Sequence, residues 1–227
     1  MTKTDQTQQP TNVRWLIVAM LMGFTFLGHF NRVSISVAGS ERFTQPGGLS
    51  QEQMGTVYSA FLLVYTLGML PGGWVIDRVG PRLALTGMGI GMGFCVALTG
   101  GLGWAGLPLT SLWIPLLAIR GIAGGLSVPL HPAAARSAAS WVPLASRSTA
   151  NGLITAGALM GIAVTYPGFG WLMDRLNWPL AFVFCGSVMM VYALAWYCVS
   201  TDSGVKNAWA NDQGNRMSRS GFGPMIA

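Results

Sequence analysis

Residues 72–82 read Gly-Gly-Trp-Val-Ile-Asp-Arg-Val-Gly-Pro-Arg, with a long apolar run entering and another leaving. Three of these residues are charged: Asp77, Arg78 and Arg82. Hydrocarbon offers no partner to a charge or a free peptide group, so such a stretch cannot lie inside a bilayer. It marks where one span ends and the next begins, and so short a link forces the two spans into a tight hairpin. The rest of the chain agrees. Only 9% of residues are charged and 52% are hydrophobic, where a soluble domain has roughly 25% charged. A water-soluble core of this length would expose large apolar patches. The sequence reads as an all-α integral membrane protein.

A span needs roughly 20 apolar residues. Six such runs occur, at about residues 14–38, 53–76, 83–103, 110–139, 148–173 and 177–200. The expected organisation is a cytoplasmic tail over 1–13, a six-helix membrane domain over 14–200, and a polar cytoplasmic linker or tail over 201–227. Tryptophans such as Trp15, Trp74, Trp104 and Trp113 fall near the span ends, where amphipathic rings sit. One side collects Lys3, Arg14, Arg78, Arg82, Arg136, Arg147, Lys206, Arg216 and Arg219; the other has only Arg42 and Arg175. That bias places both termini in the cytoplasm, with the plasma (inner) membrane as the expected location. The net charge of +6 is therefore topological. The basic residues lie between apolar runs rather than on one aromatic-studded face, so no nucleic-acid partner is expected.

The hairpin has an echo. Gly73-Trp74-Val75-Ile76-Asp77-Arg78-Val79-Gly80 resembles Gly170-Trp171-Leu172-Met173-Asp174-Arg175-Leu176-Asn177. One copy ends the second span inside, the other ends the fifth span outside. Three spans followed by three inverted spans is the signature of a transporter half.

Charge inside a span costs roughly 2.5–3.5 kcal/mol per residue. Arg32 and Arg120 lie well inside spans, and no carboxylate does. Thr25, His29, Arg32 and Ser36 are spaced 4, 3, 4; so are Arg120, Gly124, Ser127 and His131. Such spacing puts each set on one helix face. Two polar-striped helices in equivalent positions would line a shared cavity. A cationic cavity suits an anion, and Arg32 offers a planar donor fork for carboxylate or phosphate. The plainer alternative is that Arg32 or Arg120 binds carbonyls freed near Pro115, Pro129 or Pro132. His29 and His131 suit either a cavity hydrogen bond or a proton-linked role.

Gly87, Gly89, Gly91 and Gly93 alternate through the third span, with no preceding strand to make them a nucleotide loop; they predict close helix packing. Cys95, Cys185 and Cys198 lie in apolar runs without metal-ligand spacing, so they read as packing residues. No metal or other cofactor is expected.

Gly73-x-x-x-Asp77-Arg78-x-Gly80-Pro81-Arg82 resembles the loop between helices 2 and 3 of the major facilitator superfamily, with Pro81 where a basic residue is usual. Arg120-Gly121-x-x-Gly124 is similar to its helix 4 motif. Within the superfamily, residues 31–38 and 120–132, then Trp141-x-Pro143 and Arg147, look most like the anion:cation symporter family. The resemblance implies alternating-access transport of an organic anion such as a sugar acid, commonly coupled to a proton or cation. The polar stripes and this likeness together give the expected substrate contacts: His29, Asn31, Arg32, Ser36, Arg120, Ser127 and His131. The likeness implies a cytoplasmic gate at Gly73, Asp77, Arg78, Gly80 and Arg82, with Arg136 a suitable partner for Asp77. That family has Asp at the position of Asn31 and Glu at that of Ser127, so proton coupling falls to His29, His131 or residues elsewhere. Twelve spans in the superfamily imply that this sequence is an N-terminal half, either a fragment or a chain working with a partner half.

An intramembrane enzyme would need paired acids, a His-Glu-x-x-His helix or a nucleophile with its base; none stands in the sequence, and no enzyme is expected. A six-helix oligomeric channel or structural protein is the alternative to a transporter.

Overall fold

The computed structural model describes residues 11–200, and these form helices and connecting turns with no strand. Helix α1 (Thr11–Ala38) starts inside the expected tail and runs on through one π-helical turn, Gly39–Phe43. Helix α2 (Gln51–Val79) opens with a reciprocal cap. The Ser50 Oγ accepts from the Gln53 amide at 3.1 Å, and the Ser50 amide donates to Gln53 Oε1 at 3.0 Å. Helix α3 (Pro81–Gly101) follows after Gly80 alone. Asp77 and Arg78 therefore lie in the last turn of α2, not in a loop. Backbone hydrogen bonds continue where the side chains cease to be apolar, so the helices outrun the apolar pattern by a few residues.

The fourth expected span is two helices, α4 (Trp113–Ser127) and α5 (Leu130–Trp141). Pro129 stands at the break, since it cannot donate into the helix. Pro115 and Pro132 cause none: each lies in a first turn, where the amide would have no partner anyway.

Helix α6 covers Arg147–Val199, 53 residues. At about 1.5 Å per residue a straight helix of that length would reach roughly 80 Å, far beyond a bilayer of about 30 Å. It is not straight. Asn177, at φ 64° and ψ 157°, breaks it. Before the break, Gly157 and Gly161 lie against the backbone of Met22 and Phe26, so this arm runs alongside α1 in the same direction. After the break, the Trp178 ring meets Phe43 at the far end of α1, and the Tyr192 hydroxyl donates to the Met20 carbonyl at 2.8 Å. The chain has turned back. Five helical stretches, counted across the breaks at Pro129 and Asn177, are long and apolar enough to cross a membrane: Arg14–Phe43, Gln51–Val79, Pro81–Trp104, Leu109–Trp141 and Leu144–Val199. The expected fifth and sixth spans share the last of them.

Glycine decides one close approach. Gly93 of α3 and Gly186 of α6 lie backbone to backbone, and a methyl group on either would strike the other's carbonyl. Gly89 and Gly91 pack on Phe24 and Leu126, but Gly87 faces open space, so the alternating glycines do not all serve packing. Cys95 and Cys185 are buried as expected of packing residues, whereas Cys198 is exposed. The aromatic core sits toward the Phe43 end, where Phe169, Trp178 and Phe182 join it. A second apolar cluster around Phe24, Leu85 and Trp196 fills the other end. Between them lie the polar residues of α1, α4 and α5. Residues 1–10 and 201–227 of the expected tails are outside the described residues.

Candidate functional site

A small polar cavity opens between α1, α2, α4 and α5. Its walls are Gly28, His29, Arg32, Tyr65, Ser127, Leu130 and His131. Helix α1 runs opposite to α4 and α5, which is why residues 28–32 meet residues 127–131. The polar stripe on α1 does not act as a unit. Thr25 turns away from the cavity and donates to the Ile154 carbonyl at 2.7 Å and the Met22 carbonyl at 3.0 Å. Ser36 is not among the lining residues; its carbonyl accepts from Ser40 Oγ at 3.1 Å.

Arg32 stands at the centre. Its guanidinium lies 5.0 Å from the Phe61 ring centroid and 5.4 Å from that of Tyr65. Those two rings stack on one another, 6.2 Å apart at 12°. Aromatic faces attract a cation without consuming its N–H donors, which lie in the plane of the guanidinium. Among the described residues no carboxylate pairs with Arg32. The arrangement holds the charge in place without neutralising it, which leaves the donor fork for an anion.

The second arginine has a different environment. Arg120 is 3% exposed and lies outside the cavity lining. It donates to the Arg32 carbonyl at 3.1 Å, tying α4 to α1. Ser127 lines the cavity, but its hydroxyl is engaged with the Ala123 carbonyl at 2.7 Å and the Met92 sulfur at 3.4 Å. His29 and His131 face each other with ring centroids 5.1 Å apart. Asn31 is 1% exposed and is not among the lining residues, and among the described residues neither its Oδ1 nor its Nδ2 has a hydrogen-bond partner.

Sequence reasoning missed Phe61 and Tyr65. A signal was there: the two aromatics are four residues apart on α2, hence on one helix face. Nothing in the sequence said that this face turns toward Arg32.

At the end of the molecule where α2 meets α3, Asp77 pairs with Arg136 at 2.5 Å. The Arg78 guanidinium lies over the Trp74 ring at 3.7 Å. Arg82 donates to the Tyr197 carbonyl from Nε at 3.2 Å and Nη2 at 2.7 Å, which fastens the start of α3 to the end of α6. Gly80 takes φ 82° and ψ 157° to join α2 to α3. Gly73 is exposed with open space before it. At the opposite end, Asp174 pairs with Arg42 at 2.8 Å.

Comparison with known proteins places these helices in a family. Residues 16–222 match the family model of the Major Facilitator Superfamily. The chain is 33% identical over 188 residues to the probable galactarate/D-glucarate transporter of Bacillus subtilis (strain 168), covering 82% of this chain and 40% of that protein. It is 30% identical over 196 residues to the D-galactonate transporter of Escherichia coli O6:H1, 84% of this chain and 42% of that one. It is 30% identical over 201 residues to the probable sulfoacetate transporter of Cupriavidus necator, 88% of this chain and 45% of that one. The chain thus spans less than half the length of these curated relatives. A charged hairpin at 72–82, apolar helices of spanning length and the match over nearly all of them agree: the chain belongs to the Major Facilitator Superfamily and is an integral membrane protein similar to its anion:cation symporter type.

Proposed function

We propose that this chain forms the N-terminal six-helix half of a secondary transporter that moves a small organic anion, of the sugar-acid or sulfonate class, by alternating access. The observation that carries the reading is Arg32: a guanidinium held against two aromatic rings on the cavity wall, with no carboxylate among the described residues to neutralise it. The names of the relatives, galactarate/D-glucarate, D-galactonate and sulfoacetate transporters, point to the same class of cargo. His29, Ser127 and His131 complete the anion's surroundings. Asn31, Ser36 and Arg120 stand off the cavity wall and do not touch the cargo, and Arg120 instead ties α4 to α1.

Counting the two arms of α6 separately gives six crossings. Two further features favour an inverted three-plus-three arrangement. Gly80 and Asn177, at equivalent places in the repeated segment, share ψ 157° with φ 82° and 64°. The aspartates of the two copies each pair with an arginine of another helical segment, Asp77 with Arg136 of α5 and Asp174 with Arg42 in the turn after α1. Asp77, Arg78 and Arg136 then form the cytoplasmic gate. The bias of basic residues puts both termini in the cytoplasm, with the inner membrane as location. The partner is a second half, which supplies the other wall of the cavity.

Ligand-dependent thermal stabilisation of the purified chain tests the anion site. Galactarate at saturating concentration is expected to raise the melting temperature through linkage, and Arg32→Ala to abolish that rise. An equal rise in wild type and Arg32→Ala sinks the reading. Proteoliposomes with the chain alone should show no galactarate uptake, because half a cavity cannot alternate. Uptake there would establish a self-sufficient chain or an oligomeric channel instead.

A further inference from the structure

Two imidazoles meet at the cavity, and anion binding by Arg32 gives them no task of their own. The whole chain contains 2 histidines, and α1 and α5 bring both to one place. Their ring centroids are 5.1 Å apart with planes at 61°. His29 Nδ1 lies 2.9 Å from the Thr25 carbonyl oxygen. A carbonyl oxygen only accepts, so Nδ1 carries the hydrogen and the basic atom of His29 is Nε2. The tautomer of His29 is thus set by its own helix, whatever His131 does.

The groups around the pair are few. Helix α1 contributes Arg32, α2 contributes Tyr65, and α5 contributes His131. Helix α4 contributes Ser127, which does not titrate, and the α3 side chain nearest Gly28 is Met88. No residue of α6 lines the cavity, and Arg120 lies behind Arg32 on its carbonyl. The two histidines are therefore the lining groups of the residue type that, unperturbed, gains or loses a proton nearest neutral pH. Two imidazoliums this close, beside a fixed guanidinium, repel one another, so the second proton is disfavoured.

We propose that His29 and His131 form a single proton-binding site: one proton, taken from water, is shared between the two rings on the cavity wall. An N–H bond forms on one imidazole as the hydronium gives up its proton, and the pair changes between zero and one positive charge. The use of that charge rests on the anion reading above. A proton on the pair adds to the field of Arg32, so anion and proton each tighten the other's binding by the same factor. The charge switch that a carboxylate would supply in a coupled transporter is then supplied here by imidazole.

Nitrogen-15 NMR of the histidine-labelled chain in lipid nanodiscs tests this directly, because only two rings report. Both rings should respond together to the first proton, with the second step separated by about one pH unit or more, the mark of interacting sites. His131→Gln should leave His29 with one ordinary single-step titration, and His29→Gln should do the same for His131. Two independent single-step titrations in the wild-type chain would overturn the proposal. So would two rings that stay neutral down to pH 4, as plain edge-to-face packing requires. Adding 10 mM galactarate (a concentration on the order of 10 mM serves) separates the two ideas. A shared titration that galactarate leaves unmoved supports the proton site and counts against the anion reading alone.

Discussion

Arg32, Arg120 and Asn31 are all polar residues inside spans, and their surroundings give them different work. Arg32 has aromatic faces against its charge and, among the described residues, no carboxylate partner. Arg120 is buried and spends a donor on the backbone of α1. Asn31 has neither, since both polar atoms of its amide are buried without a partner. A buried polar group without a hydrogen bond costs about 1–3 kcal/mol. Asn31→Val is therefore expected to raise stability by about 1 kcal/mol, read by thermal unfolding in detergent, while galactarate binding stays within about twofold of wild type. A loss of stability would show that the amide is held by a polar group. Loss of galactarate binding with the fold intact would put Asn31 back in the site. The 4, 3, 4 spacing identified the faces of α1 and of α4–α5, but it treated all members of a stripe alike. Thr25 bonds to α6, and Ser36 stays outside the cavity, because a helix face about one residue wide still meets different neighbours at each turn.

The elements turn on two residues. Gly80 and Asn177 adopt backbone angles that L side chains rarely take, and each reverses the chain between two apolar helices. At Gly80 a Cβ would meet open space, so any cost of adding one comes from the backbone alone. Gly80→Ala is expected to destabilise by about 1–3 kcal/mol. Asn177→Gly should be neutral or stabilising by up to about 1 kcal/mol, because glycine takes positive φ freely. Urea is of little use in a bilayer, so thermal melts of both variants in the same detergent make the comparison. Equal costs for the two substitutions would contradict the shared geometry. The first reversal was legible, since Gly-Pro followed by Arg between two apolar runs is a strong stop signal. The second was legible as the gap between the apolar runs ending at 173 and starting at 177, and as an echo of the first. The positive φ of Asn177 was not, because nothing in the residue types there demands it.

For the whole molecule, the paired charges sit at the two ends. Asp77–Arg136 and Arg42–Asp174 are largely exposed, with carboxylate side chains 61% and 68% accessible. Exposed pairs contribute only about 0–1 kcal/mol. Asp77→Asn should therefore change the melting temperature of this chain little. In a transporter carrying this half, the same substitution should change uptake strongly if the pair gates the cytoplasmic side, and Asp77→Asn with unchanged uptake would remove that role. The separation between a small stability effect and a large transport effect is the measurement that matters. The outer surface makes a similar point. Leu63, Leu67 and Leu70 of α2 are exposed, Leu70 by 91%, and an apolar face of that kind in a membrane helix meets lipid or a second half.

What the sequence determined by itself was set by solvent. Apolar runs of spanning length, cut by charge, leave a chain no choice but helices across a bilayer, because unsatisfied peptide groups cannot sit in hydrocarbon. The same runs gave the ends of the spans to within a few residues and the faces on which Arg32 and Arg120 lie. Tertiary structure decided which faces meet. It set Phe61 and Tyr65 against Arg32, brought His131 to His29 across an antiparallel crossing, and sent Thr25 and Arg120 to the backbone of their neighbours. The reason is range: hydrophobicity and periodicity act within one helix, whereas a cavity is made by residues about 100 positions apart whose meeting depends on how close glycine lets two backbones come.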